Sequence, residues 1–211
     1  MNSQTERLML TGAAGAIEAL RDAPALAPGQ SSRGVAIIAH PHPLFGGTMD
    51  NKVVQTLARA FVQCGYTAVR FNFRGVGASA GEHDAGRGEF EDMLAVVRQV
   101  APEGQIALAG FSFGAFVMSH TLAALWAEGR VEKAVFVGTA ASRFDVAPVP
   151  PEAHDRTLVI HGEADDTVAL SAVMGWAGPQ ILPVTVIPQV GHFFHGQLPL
   201  LKNLVVRHLN S

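Results

Sequence analysis

The chain has 211 residues, one cysteine and a formal net charge of −3, with its lysines and arginines scattered singly. That length suits one domain, 1–211, large enough to bury well over half the surface of its unfolded form without covalent staples. The charge argues against the basic footprint of a nucleic-acid binder, and Cys64, which has no partner for an intrachain disulfide, fits a reducing, cytoplasmic setting.

The first residues, Met1 to Glu6, lack the basic region and apolar run of a secretory signal. The longest apolar stretch, Ile106 to Met118, falls short of the roughly 20 residues that cross a bilayer, so no membrane partner is expected. Leu8 to Thr11 and Ala16 to Arg21 can pair as an antiparallel edge around the turn Gly12 to Gly15. From Val35 on, short apolar runs alternate with segments of helical period, the pattern of a parallel sheet covered on both faces. Strands are predicted at Val35 to His40, Thr67 to Phe73, Ile106 to Phe111, Lys133 to Gly138, Thr157 to His161 and Val184 to Pro188. Helices are predicted at Asn51 to Cys64, Phe90 to Val100, Phe113 to Glu128, Ser171 to Ala177 and Leu198 to Leu209. Cys64 reads as a buried helix residue, and Gly65 and Gly129 are placed as helix stops.

Gly-x-Ser-x-Gly occurs twice, as Gly77-Ala-Ser79-Ala-Gly81 and Gly110-Phe-Ser112-Phe-Gly114. The motif presents a nucleophile only where a strand enters it and a helix leaves it. Ser112 has both, whereas Ser79 runs into a segment with two further glycines that disfavour an immediate helix. Gly75-Val-Gly77-Ala-Ser-Ala80 also fits a dinucleotide-binding fingerprint, which makes an oxidoreductase the competing reading. That reading needs a helix opening at the motif and an acidic residue at a strand end about 20 positions on, yet position 95 falls within a helical segment.

A serine nucleophile needs a histidine to take its proton and a carboxylate to orient that histidine. In the order serine, acid, histidine, the segment Leu158 to Val168 offers Glu163, Asp165 and Asp166 just beyond a strand. Asp165 is the candidate acid and Asp166 its rival. His192, between the last strand and the last helix, is the candidate base, with His195 as the alternative. His83, His120, His154 and His208 read as solvated or internally satisfied, and His161 as a strand-end structural residue. The oxyanion hole draws one backbone N–H from the residue after the nucleophile, Phe113, and a second from the loop after His40. Pro41 and Pro43 have no N–H, which leaves His42, Leu44, Phe45, Gly46 and Gly47, with Leu44 favoured. A metal site on His40 and His42 lacks the further ligands such sites need, so neither metal nor cofactor is expected. Phe45, Phe111, Phe116, Phe193 and Phe194 flank these loops, where acyl binding and core packing are equally open to them.

These residues resemble the α/β-hydrolase superfamily over about residues 33 to 210, through the elbow Gly110 to Gly114, the acid loop Gly162 to Asp165 and Gly191-His192. His-Pro-His-Pro followed by Gly-Gly-Thr-Met-Asp-Asn-Lys-Val-Val, and Phe71 to Ser79, are similar to small bacterial hydrolases near the dienelactone-hydrolase branch. That branch often uses a cysteine nucleophile. Ser112 stands in its place here, so lactone hydrolysis by a thiolate is not supported. The resemblance implies a mostly parallel central sheet with helices on both faces, and it gives the Arg74 to Gly81 loop a structural role carried by its backbone shape. Only Thr139 to Arg156 is available for a lid, too short for a multi-helix cap. A small acyl ester or thioester is the implied substrate, with a non-catalytic interaction protein as the other class and a homodimer left open.

Overall fold

The computed structural model describes residues 5–27 and 29–211. Among these, eight strands form one sheet in the order β1-β2-β4-β3-β5-β6-β7-β8. The expected antiparallel edge is present and longer than the apolar pattern suggested: β1 (Thr5–Gly12) pairs with β2 (Gly15–Asp22), which pairs antiparallel with β4 (Thr67–Phe71). All other pairings are parallel, joining β3 (Val35–Ala39), β4, β5 (Ile106–Phe111), β6 (Val131–Val137), β7 (Thr157–Gly162) and β8 (Val184–Ile187).

Every residue of β5 is buried, and none is charged, because helices cover both of its faces. On one face lie α1 (Lys52–Gln63) and α5 (Leu198–Leu209), whose Val54, Leu57, Phe61, Leu201 and Val205 enclose one half of the core. On the other lie α2 (Arg87–Val100), α3 (Phe113–Trp126) and α4 (Leu170–Ala177), with Met93, Val97, Val117, Leu122 and Val173. Asn51 caps α1 by accepting the Val53 N–H at 2.9 Å, and Gly65 ends the segment at φ +87°. Cys64 lies just past α1 and is half-buried, not a core helix residue as expected.

Helix α2 begins three residues before the periodic pattern does. Glu89, fully buried, accepts the N–H groups of Gly86 at 2.8 Å and Asp84 at 3.0 Å, and so satisfies the start of a helix that Gly86 and Gly88 would otherwise discourage. The connection from β6 to β7 contains a single short helical turn, Pro151–Arg156, and builds no cap over the sheet. The C-terminal ends of β5, β7 and β8 therefore open on one edge without a covering domain.

Candidate active site

Ser112 occupies the turn between β5 and α3 with φ +56° and ψ −116°. A side chain there carries strain of about 1–3 kcal/mol, tolerated because the surroundings fix the backbone. The Ser112 N–H donates to Val137 O at 2.9 Å. The two glycines of the motif are sterically required: a Cβ on Gly110 would lie 2.5 Å from Gly114 O, and one on Gly114 would lie 2.4 Å from Ala39 O. The Ser112 hydroxyl makes no capping bond to its own helix, which leaves Oγ to other partners.

That partner is His192, whose Nε2 stands 3.0 Å from Ser112 Oγ. The other ring nitrogen, Nδ1, lies 2.6 Å from Asp165 Oδ2. Asp165 is the carboxylate of its loop that turns inward; Asp166 is exposed and accepts from Thr167 Oγ1, while Glu163 accepts the Gln189 N–H. Asp165 Oδ1 accepts the N–H groups of Thr167 at 2.9 Å and Val168 at 2.7 Å. Burial pushes the Asp165 carboxyl up, but hydrogen bonds from His192 and Val168 outweigh it and hold the group below the usual carboxylate range. His195 is exposed and packs beside Phe193, away from this chain of contacts. The loop bearing His192 passes so close over β7 that a Cβ on Gly162 would lie 2.2 Å from Val190 O.

The remaining histidines are held in place. His161 is buried and directs Nε2 to Val168 O at 2.9 Å. His120, His154 and His208 each direct Nε2 to a backbone carbonyl, and the His83 ring packs 4.8 Å from that of His42. His40 accepts the Phe73 N–H on Nε2 and donates from Nδ1 to Pro41 O, so both nitrogens serve the fold.

The loop after β3 departs from expectation at one donor. The Leu44 N–H does not face Ser112; it donates to His42 Nδ1 at 3.2 Å, and Leu44 is 70% exposed. Pro43 opens a short helical turn, Pro43–Phe45, that also directs the Phe45 and Gly47 N–H groups to His42 O. Burial, with His83 and Arg143 nearby, lowers the His42 pKa and keeps Nδ1 available to accept. His42 and Phe113 line the cavity with Ser112, and among the described residues neither commits its backbone N–H to an acceptor. The Pro-His-Pro spacing held the clue, since a proline at the first helical position makes the preceding residue a cap.

A cavity of about 340 Å³ opens in front of Ser112 and His192. Phe45 and Phe193, both expected near the site, line it, as do Phe113 and Phe144; Phe111, Phe116 and Phe194 are buried outside that wall. The segment after β6 contributes Ala140, Arg143 and Phe144 as one side of the cavity, so it is a wall and not a lid.

The first serine motif has a different task. Ser79 is buried, donates from Oγ to Asn72 O at 2.7 Å and accepts the Glu18 N–H at 2.9 Å. Its hydroxyl ties the glycine-rich loop to β2, so the expectation that backbone shape alone matters there is corrected. No helix opens at Gly75 or Gly77: α2 starts at Arg87, and Glu18 and Asn72 already occupy the space beside Gly77. The dinucleotide geometry is therefore missing.

With strand order, elbow and loops in place, comparison with known proteins decides the family. The family model described as alpha/beta hydrolase fold matches residues 42–157. This chain is an α/β-hydrolase-fold protein. Among solved structures, this α/β hydrolase is similar to XC6422 from Xanthomonas campestris, an α/β serine hydrolase without lid, at 36% identity and a TM-score of 0.84, covering 100% of this chain and 95% of that one. It is also similar to an α/β serine hydrolase homologue from Coxiella burnetii, at 36% identity and a TM-score of 0.80, covering 97% of each chain. A curated relative, the uncharacterized protein RP471 of Rickettsia prowazekii, is 47% identical over 87 residues, which are 39% of this hydrolase and 37% of that protein. The match thus spans little more than a third of that relative. Among the described residues, no helix is long and apolar enough to cross a membrane.

Proposed function

We propose that this α/β hydrolase cleaves small carboxylic esters or thioesters through an acyl intermediate on Ser112, in the cytoplasm. The observation that carries the reading is the unbroken line from Ser112 Oγ through His192 to Asp165, at 3.0 and 2.6 Å. In the first half-reaction Oγ attacks the substrate carbonyl carbon while its proton passes to His192 Nε2. Asp165 fixes the ring with hydrogen on Nδ1, leaves Nε2 as the acceptor, and stabilises the imidazolium as it forms. The carbonyl oxygen, now an oxyanion, is held by the N–H groups of Phe113 and His42, with the N-terminus of α3 aimed at the same place.

Collapse of that adduct breaks the bond to the leaving oxygen or sulfur, which takes the proton from His192. Water then enters, gives its proton to His192 and attacks the acyl carbon; the acid leaves and Ser112 regains its proton. Phe45, Phe113, Phe144 and Phe193 supply the apolar walls that favour a small acyl or aryl group.

The test is turnover of a simple aryl ester by the wild type and Ser112→Ala. The reading expects a loss of at least about three orders of magnitude in kcat with the fold retained. Full activity in the variant would remove it.

A further inference from the structure

The cavity wall carries an unbalanced charge. Arg143 lines it, is exposed, and meets no carboxylate among the described residues, whereas Arg33, Arg70 and Arg74 are each ion-paired. No aspartate or glutamate lines the cavity: Asp165 lies behind His192, and Asp145, two positions beyond Arg143, is outside the wall. In a chain of net charge −3, Arg143 is thus, among the described residues, the one permanently charged side chain on the cavity lining. A second donor lines the same cavity. Asn51 spends its Oδ1 on capping α1, and among the described residues its amide NH2 has no acceptor.

A guanidinium offers a planar pair of N–H groups that matches a carboxylate, and an uncommitted one at a cavity mouth gains most from an anionic ligand. We propose that Arg143, assisted by the Asn51 amide, makes this site selective for esters that carry a second, ionised carboxylate. The proposal rests on Ser112 being the acyl-accepting nucleophile. The apolar walls take the carbon skeleton, and Arg143 takes the charged end.

Two matched ester pairs test this. In one, the charge is on the acyl half: the para-nitrophenyl half-ester of adipic acid against para-nitrophenyl hexanoate. In the other, it is on the leaving group: the butyrate ester of para-hydroxybenzoate against that of para-hydroxybenzamide. The wild type is expected to favour the charged member of at least one pair by about tenfold in kcat/KM, and the pair that responds tells which half faces Arg143. That ratio should fall to about one in Arg143→Gln, recover in part in Arg143→Lys, and shrink in high salt. A wild-type ratio at or below one in both pairs, or a ratio unmoved in Arg143→Gln, overturns the proposal while Ser112-dependent hydrolysis of the neutral esters still stands. Turnover that survives in Ser112→Ala would instead remove the underlying reading, and this one with it.

Discussion

Asp165 holds His192 with one oxygen only: Oδ2 stands 2.6 Å from Nδ1, while Oδ1 is pinned by the Thr167 and Val168 N–H groups. The carboxylate is thereby fixed by its own turn before the imidazole arrives, and His161 Nε2, 3.5 Å from Oδ2, closes the remaining side. Ring orientation and tautomer at His192 follow from that arrangement.

Asp165→Asn keeps the shape of the turn but places an amide opposite Nδ1. Where the amide NH2 faces the ring, Nδ1 must accept and the proton moves to Nε2, which can then no longer take one from Ser112. A fall of about three to four orders of magnitude in kcat toward an aryl ester is expected, with a thermal unfolding profile close to wild type. Activity within about tenfold of wild type would mean that another group orients His192.

The two serine motifs should separate cleanly by mutation. Ser79→Ala removes the hydroxyl that bridges Asn72 O and the Glu18 N–H, and leaves a buried carbonyl and a part-buried N–H unmatched. A loss of about 1–3 kcal/mol in urea-monitored stability is expected, with Ser112-dependent hydrolysis retained. Loss of hydrolysis in a stable Ser79→Ala protein would contradict the structural role given to this residue.

Burial lowers the His40 pKa from 6.5 to about 4, against the opposing hydrogen bond to Pro41. The folded state keeps this ring neutral while the unfolded chain protonates it, so its contribution is complete above about pH 6.5 and is lost as pH falls toward about 4. The full swing is on the order of 3 kcal/mol, set by that difference in pKa, and protonation would also put an N–H against the Phe73 N–H at Nε2. Unfolding free energies measured across that window should decline with acidity, and the decline should be shallower in His40→Gln. An unchanged slope in the variant would assign the acid sensitivity to other groups, such as His208, whose pKa burial also lowers to about 4.

The parallel core was legible because its strands are buried on both faces and so read as plain apolar runs; Ile106–Phe111 and Leu198–Leu209 have the limits their patterns suggested. The start of α2 was not, because a buried Glu89 stabilises a glycine-bearing first turn, and no local pattern announces where a carboxylate will fold back. At the site, Ser112, Asp165 and His192 stood out because chain order and strand ends constrain them. Leu44 misled for a local reason: the turn opened by Pro43 takes up the Leu44 N–H, and His42, flanked by prolines, keeps its own free. Arg143 carried no signal at all in the sequence. Its place in the cavity depends on how the segment after β6 packs, with Phe144 stacked 4.7 Å from Phe116.

The central claim is that Ser112 is the nucleophile, and covalent labelling tests it most directly. Wild-type protein treated with a fluorophosphonate should gain the mass of one phosphonyl group, located by peptide mapping at Ser112, and Ser112→Ala should gain none. A wild-type protein that stays unlabelled, or an adduct that maps to Ser79 or persists in Ser112→Ala, would contradict the account.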